Sequence, residues 1–200
     1  MKSRCDWVDE ASDLYVRYHD KQWGVPLYDD RQIFEFLTLE SAQAGLSWLT
    51  VLKKRTGYRK AFANFDPVKV ANFSQKDINN LLRNKDIIRN RLKIEAAVNN
   101  ANRFLSIQKE FGTFSNYQWQ FVKNRPKQNS WQNIKDVPPQ SAEALLFSND
   151  LRARGFKFIG PTIIYSHMQA VGMVNDHLTG CFRYEEVRSL SKNSELAVKI

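Results

Sequence analysis

The chain has 200 residues, enough for one large domain or two small lobes with a proper core. Its 42% hydrophobic and 26% charged residues exclude intrinsic disorder, a collagen-like repeat and a disulfide scaffold. Lys and Arg outnumber Asp and Glu by 30 to 21, a net charge of +9.

That excess is uneven. Residues 1–50 carry 5 basic and 9 acidic side chains, residues 51–100 carry 12 and 4, and the remainder 13 and 8. An acidic start and a basic body suggest a polyanion that docks on one face, although a basic surface kept for solubility would look the same. Charges interrupt every apolar window, so no bilayer span is expected. Met1-Lys2-Ser3-Arg4-Cys5-Asp6 leads into no apolar run, which argues against a signal peptide. Only two cysteines, Cys5 and Cys181, suit a cytoplasmic protein.

Gly and Pro are scarce and fall between periodic segments. Asp29-Asp30 can cap a helix through Ile33, Leu37 and Glu40 towards Gly45. Ser47 to Tyr58 reads as a second helix, and Asp66-Pro67 opens a third with Pro at its first position. Ser74 with Asp77 has the shape of a capping box ahead of Ile78, Leu81 and Leu82. Ile87 to Gln108 is a long helix with Ile94, Val98 and Ala101 at helical spacing. Phe114 to Val122 is short and aromatic. Asn124 to Pro139 is polar, holds three prolines and reads as a loop. Ser141 to Arg154 and Thr162 to Val171 are further helices. Strand-type alternation hardly occurs. The expected fold is all-α, with nothing after Glu185 belonging to the core.

Four residues could clasp the chain ends together. Cys5 and His19 lie near the start, and His177 with Cys181 near the end. A His-x3-Cys spacing places imidazole and thiolate on one helical face or around one turn, and two thiolates with two imidazoles make a closed structural zinc site. Two free thiols with unrelated histidines, or a disulfide, are the alternatives.

Arg154-Gly155-Phe156-Lys157-Phe158-Ile159-Gly160-Pro161-Thr162 is a turn feeding a helix N-terminus. Backbone N–H groups there, with Lys157, Arg152 and Arg154 beside them, suit a phosphate; a plain interhelical connection is the bland account. Glu40 is the other conspicuous residue. Helical spacing from Ile33 and Leu37 puts it on an apolar face, where a carboxylate is costly without a partner. An internal arginine would be the ordinary remedy. Yet Trp7, Tyr15, Tyr18 and Trp48 share the first fifty residues, and an acid among aromatic faces suits a flat cation.

These segments together resemble the 3-methyladenine DNA glycosylase I family. The resemblance is carried by Cys5-Asp6-Trp7, Tyr15 to Asp20, Gln22-Trp23-Gly24-Val25-Pro26, Glu40 to Trp48, Phe65-Asp66-Pro67, Arg154 to Gly160, and Val174-Asn175-Asp176-His177 with Gly180-Cys181. It runs from about residue 3 to residue 183.

The resemblance implies a helix-hairpin-helix glycosylase fold. One domain over residues 1–184 would comprise two helical lobes, its ends joined by structural Zn2+ on Cys5, His19, His177 and Cys181, with residues 185–200 a polar tail. It implies hydrolysis of the N-glycosidic bond of 3-methyladenine in double-stranded DNA, with Glu40 catalytic and Trp7, Tyr15, Tyr18 and Trp48 binding the base. Leu46 is then the expected wedge into the duplex, and Lys157, Gly160 and Thr162 the expected DNA contacts. Thr162 stands where strand-cutting relatives carry a Schiff-base lysine, so an uncut abasic site is the expected product. Asp176, beside His177, is expected to serve structure rather than chemistry. No membrane partner is expected, and duplex binding at one face suits a monomer.

Overall fold

The protein is described here by a computed structural model covering residues 2–197, with side chains to residue 190. Ten α-helices are found among the described residues: α1 (Asp13–Lys21), α2 (Asp30–Gln43), α3 (Trp48–Ala61), α4 (Pro67–Ala71), α5 (Gln75–Arg83), α6 (Arg91–Phe111), α7 (Phe114–Trp119), α8 (Ala142–Ala153), α9 (Pro161–Ala170) and α10 (Arg183–Ala197). The strands β1 (Lys127–Gln128) and β2 (Val174–Asn175), two residues each, pair in parallel, Lys127 against Val174. The all-α expectation therefore stands with one small addition, inside the segment read as a loop.

The caps explain most boundaries. The side chains of Asp29, Ser47 and Asp66 accept backbone N–H groups at the starts of α2, α3 and α4, and Pro67 occupies the first turn of α4. Ser74 and Asp77 form a reciprocal capping box on α5. The long helix begins later than its apolar pattern predicts: Asn90 caps α6, and Ile87 is buried ahead of the helix as irregular chain.

Helix α2 is the axis of the fold. It touches α3, α6, α7 and α9, and every residue from Ile33 to Ala42 is buried. A helix enclosed on all sides must bury its polar residues too, so Glu35, Thr38 and Ser41 are interior alongside Glu40. Around it stand Phe34, Phe62, Phe65, Phe104, Phe114 and Phe147, with Phe104 and Phe114 stacked at 4.1 Å between ring centroids. Each buried aromatic stabilises the fold by about 2–3 kcal/mol.

Two features bring the chain ends together. Gly24 N–H donates to the Gln169 carbonyl and Leu27 N–H to that of Val171, which lays the start of the chain across the end of α9. Gly172 permits the crossing, because a Cβ there would lie 2.4 Å from the Pro26 nitrogen and its φ is +71°. The expectation that nothing after Glu185 belongs to the core is corrected. Residues from Arg183 to Ala197 form α10, and Val187 is 1% exposed, packed towards Gly24. Tyr184, Val187 and the exposed Leu190, spaced among charged residues, give too weak a periodicity to be read from sequence. Residues 198–200 lie outside the described residues.

Candidate active site and metal centre

Cys5, His19, His177 and Cys181 meet at one point. All four are buried, and their ligand atoms lie within 4.8 Å of one another. Cys181 Sγ is 3.4 Å from His19 Nε2 and 3.6 Å from His177 Nδ1, and Cys5 Sγ is 3.6 Å from His177 Nδ1. The N–S edge of a tetrahedron with zinc–ligand bonds of 2.0–2.3 Å is about 3.6 Å, so the donor set has the size of a metal shell. The outer nitrogens are already spoken for. His19 Nδ1 lies 2.8 Å from Asp20, itself held by Arg4, and His177 Nε2 lies 3.1 Å from the Trp23 carbonyl. With those nitrogens donating, the free lone pairs face the cluster. The cysteines are unbridged, and the group can hold a metal ion.

Beside this cluster lies a cavity of about 220 Å³, lined by Trp7, Tyr15, Tyr18, Trp23, Glu40, Gln43, Trp48, Ile134, Val137, Ser166, Gln169 and Asp176. It is smaller than the roughly 300–1,000 Å³ clefts that take drug-sized ligands. Helix α1 contributes Tyr15 and Tyr18 to the cavity and His19 to the metal cluster. Trp7 links the two sites, 5.1 Å from Tyr15 and 5.3 Å from His19 between ring centroids. Tyr18 stands 5.4 Å from Trp48. Every residue expected to bind the base therefore lines one cavity.

Glu40 is 4% exposed and makes no hydrogen bond or ion pair among the described residues. The arginines that could have neutralised it are engaged elsewhere: Arg55 and Arg59 both donate to Glu35, at 2.6 and 2.9 Å. Burial pushes the Glu40 carboxyl up to about 8. The indole N–H of Trp48 is also buried without a partner. Burial first, and nearby acids second, raise Tyr15 and Tyr18, so both phenols stay neutral. The cavity thus offers an uncompensated acid and aromatic walls. These suit a flat cationic ring.

A shallow groove adjoins the cavity and shares Glu40, Gln43 and Ser166 with it; Ala44, Gly45, Leu46, Thr162 and Ile163 complete it. Leu46 is 41% exposed, beside Gly45 at φ +80°. Lys93 Nζ holds this turn by donating to the carbonyls of Ala42 and Ala44, at 2.8 and 2.6 Å. Gly160 precedes α9 with no side-chain cap, which leaves first-turn N–H groups open. Lys157 is exposed but does not line the groove; Asn100 clamps its backbone N–H and carbonyl at 2.9 and 2.8 Å. The structure thus joins Leu46 with Thr162 in one groove, which Lys157 does not line.

Sequence reasoning missed Ile134, Val137, Ser166 and Gln169. No periodic signal marks the first two, because they sit at the two ends of a single 3-10 turn, Ile134–Asp136, downstream of the residues that Asp176 anchors. That carboxylate takes four donors, from Asn129, Trp131, Tyr165 and Gln169. It also reaches the cavity wall.

The sequence pattern of the methyladenine glycosylase family matches residues 7–184. A relative from Escherichia coli (strain K12), DNA-3-methyladenine glycosylase 1, is 45% identical over 181 residues, covering 90% of this chain and 96% of its own. A crystal structure of 3-methyladenine DNA glycosylase I (TAG) superposes with a TM-score of 0.88 at 46% identity, over 90% of this chain and 98% of that one. A variant of such an enzyme in complex with 3-methyladenine has a TM-score of 0.85 at 40% identity, over 86% and 93%. Among the described residues no helix is long and apolar enough to cross a membrane. The cavity built around an unpaired acid and the match along nearly the whole chain agree, and the chain belongs to the methyladenine glycosylase family.

Proposed function

We propose that the protein excises 3-methyladenine from alkylated double-stranded DNA and leaves an uncut abasic site. The observation that carries this reading is Glu40, buried and unpaired in an aromatic cavity. The similar enzyme in complex with 3-methyladenine supports the choice of base.

Methylation at N3 puts a positive charge on the base while it is still attached to the sugar. Its bond to C1′ is weak from the outset, and the base leaves with the electron pair of that bond without being protonated first. Water supplies the oxygen to C1′ and releases a proton. The protein therefore needs to extrude the base and prefer its cationic form. Entry of the cation brings Glu40 back into the ionised state, and the resulting pair exists only for a charged base. Trp7 and Trp48 wall the ring, and Tyr18 with Glu40 bonds its edge.

The connection at about residues 154–163 acts as the hairpin of a helix-hairpin-helix grip. Open N–H groups at Gly160 and Thr162 meet phosphate, Lys157 adds charge outside the groove, and Leu46 fills the gap left in the stack. Thr162 provides no amine for a Schiff base, so the strand stays intact. Cys5, His19, His177 and Cys181 would hold structural zinc. Four protein ligands leave it no open position, so zinc would supply folding free energy rather than chemistry. A cytoplasmic monomer that meets the duplex on one face completes this reading.

Chromatography of bases released from methylated duplex tests the activity. The wild type should free 3-methyladenine without nicking the strand, and Glu40→Gln should be far weaker. Equal release by both proteins would remove Glu40 from the centre of the mechanism. No release from folded protein would overturn the reading altogether. Separately, elemental analysis should find zinc, and its removal by a chelator should lower Tm by about 10 °C or more.

A further inference from the structure

The segment from Asn129 to Val137 is polar, turns through a 3-10 helix at Ile134–Asp136, and is anchored at its start by Asn129 and Trp131. Asp176, 3% exposed, accepts from Asn129 Nδ2 at 2.6 Å and from Trp131 Nε1 at 2.8 Å. Its other oxygen accepts from the Tyr165 hydroxyl at 2.6 Å and Gln169 Nε2 at 2.8 Å. The Thr179 N–H donates to the Trp131 carbonyl at 2.9 Å, and the Tyr184 hydroxyl to that of Asn129 at 2.9 Å. Immediately upstream, β1 is paired with β2. Such a density of anchors on a stretch without a core of its own shows that its position matters.

What these anchors position is apolar. Ile134 and Val137 line the same cavity as Glu40, and Ile134 is 39% exposed among Asn133, Lys135 and Asp136. An apolar side chain at a cavity edge, on chain that is otherwise polar, is placed to meet a ligand.

We propose that Ile134 and Val137 are specificity-determining residues for the flipped base, forming an apolar roof whose position is set by Asp176 through Trp131 and Asn129. The inference rests on the proposed function and deepens it. Charge complementarity from Glu40 alone would accept any small cation, including a hydrated one. An apolar roof admits only a flat ring that has shed its water and strengthens the pairing with Glu40 by excluding solvent. It also supplies contact for an added methyl group, which no polar wall would favour. Trp131 and Asp176 act as positioning residues, since they reach the base only through the segment they hold.

The test separates the base from the duplex. Affinity for free 3-methyladenine is read by quenching of tryptophan fluorescence, and affinity for an abasic duplex by anisotropy. The Ile134→Ala/Val137→Ala double variant should bind the free base about tenfold more weakly and the abasic duplex as the wild type does. Ile134→Leu should restore most of the loss. Trp131→Phe, which deletes the donor to Asp176 while keeping bulk, should give the same pattern. Unchanged base affinity in the double variant would overturn the roof. So would a parallel loss of duplex affinity, which would make the segment part of the DNA grip. A wild type that binds the duplex but not the base would instead sink the glycosylase reading, and the roof with it.

Discussion

Glu35 and Glu40 stand five positions apart on α2, both 4% exposed, and they have opposite fates. Glu35 is met by Arg55 and Arg59 from α3, and Arg55 also reaches Gln22 and lies 4.9 Å over the Phe36 ring. Its charge is satisfied, and its place in the molecule is structural. Glu40 faces a cavity with no cation at hand, and its carboxyl rises to about 8. Burial alone therefore does not mark a functional acid; burial without a partner does.

Three substitutions probe this contrast. The largest effect belongs to the paired acid. Glu35→Ala strands Arg55, whose side chain is 12% exposed, and should cost about 3–5 kcal/mol in urea denaturation. Protein that remains folded should still bind 3-methyladenine normally. Next comes Glu40→Gln, expected to lower the rate of excision about 100-fold, or about 2.7 kcal/mol of transition-state stabilisation.

The same Glu40→Gln protein should gain stability over the wild type as pH rises. A carboxyl raised from 4.5 to about 8 contributes stability that is complete below pH 4.5 and lost as pH rises through 8. Glutamine suffers no such loss. The variant should match the wild type at pH 4.5 and exceed it by roughly 2–3 kcal/mol at pH 7. An equal difference at both pH values would mean that Glu40 has a partner after all. Wild-type affinity for methylated duplex should also climb with pH towards 8, because a cation must displace the proton, and the Gln variant should lack that slope. The smallest effect is expected of Arg59→Gln. Arg59 is 47% exposed and leaves Arg55 in place, so the cost should stay below about 1 kcal/mol.

Legibility followed the physics of each region. Helix starts at Asp29, Asp66 and Ser74 could be read because caps are local chemistry. The four Cys and His residues could be read because few residue types hold a metal. Helix α1 drew no prediction, since its inward side chains, Tyr18 and His19, carry polar atoms and give no apolar stripe. Helical spacing puts Glu40 on an apolar face, but α2 is buried all round and Glu35 fits that description equally well. Only the partners distinguish the two acids, and those come from α3. The polar stretch after Asn124, expected to be a loop, holds no α-helix among the described residues but carries β1 and a 3-10 turn at Ile134–Asp136, and its two cavity residues have no mark in the sequence.

By itself, the sequence determined the helical class, the capped boundaries, the metal-binding set and the aromatic–acid group, because each depends on residue type and short spacing. The tertiary structure decided which buried acid is left unpaired, that Leu46 and Thr162 share a groove, and that Ile134 and Val137 reach the cavity. Those facts depend on side chains from distant segments meeting in space. The cost of leaving a charge or a donor without a partner is settled only once the whole chain has closed around it.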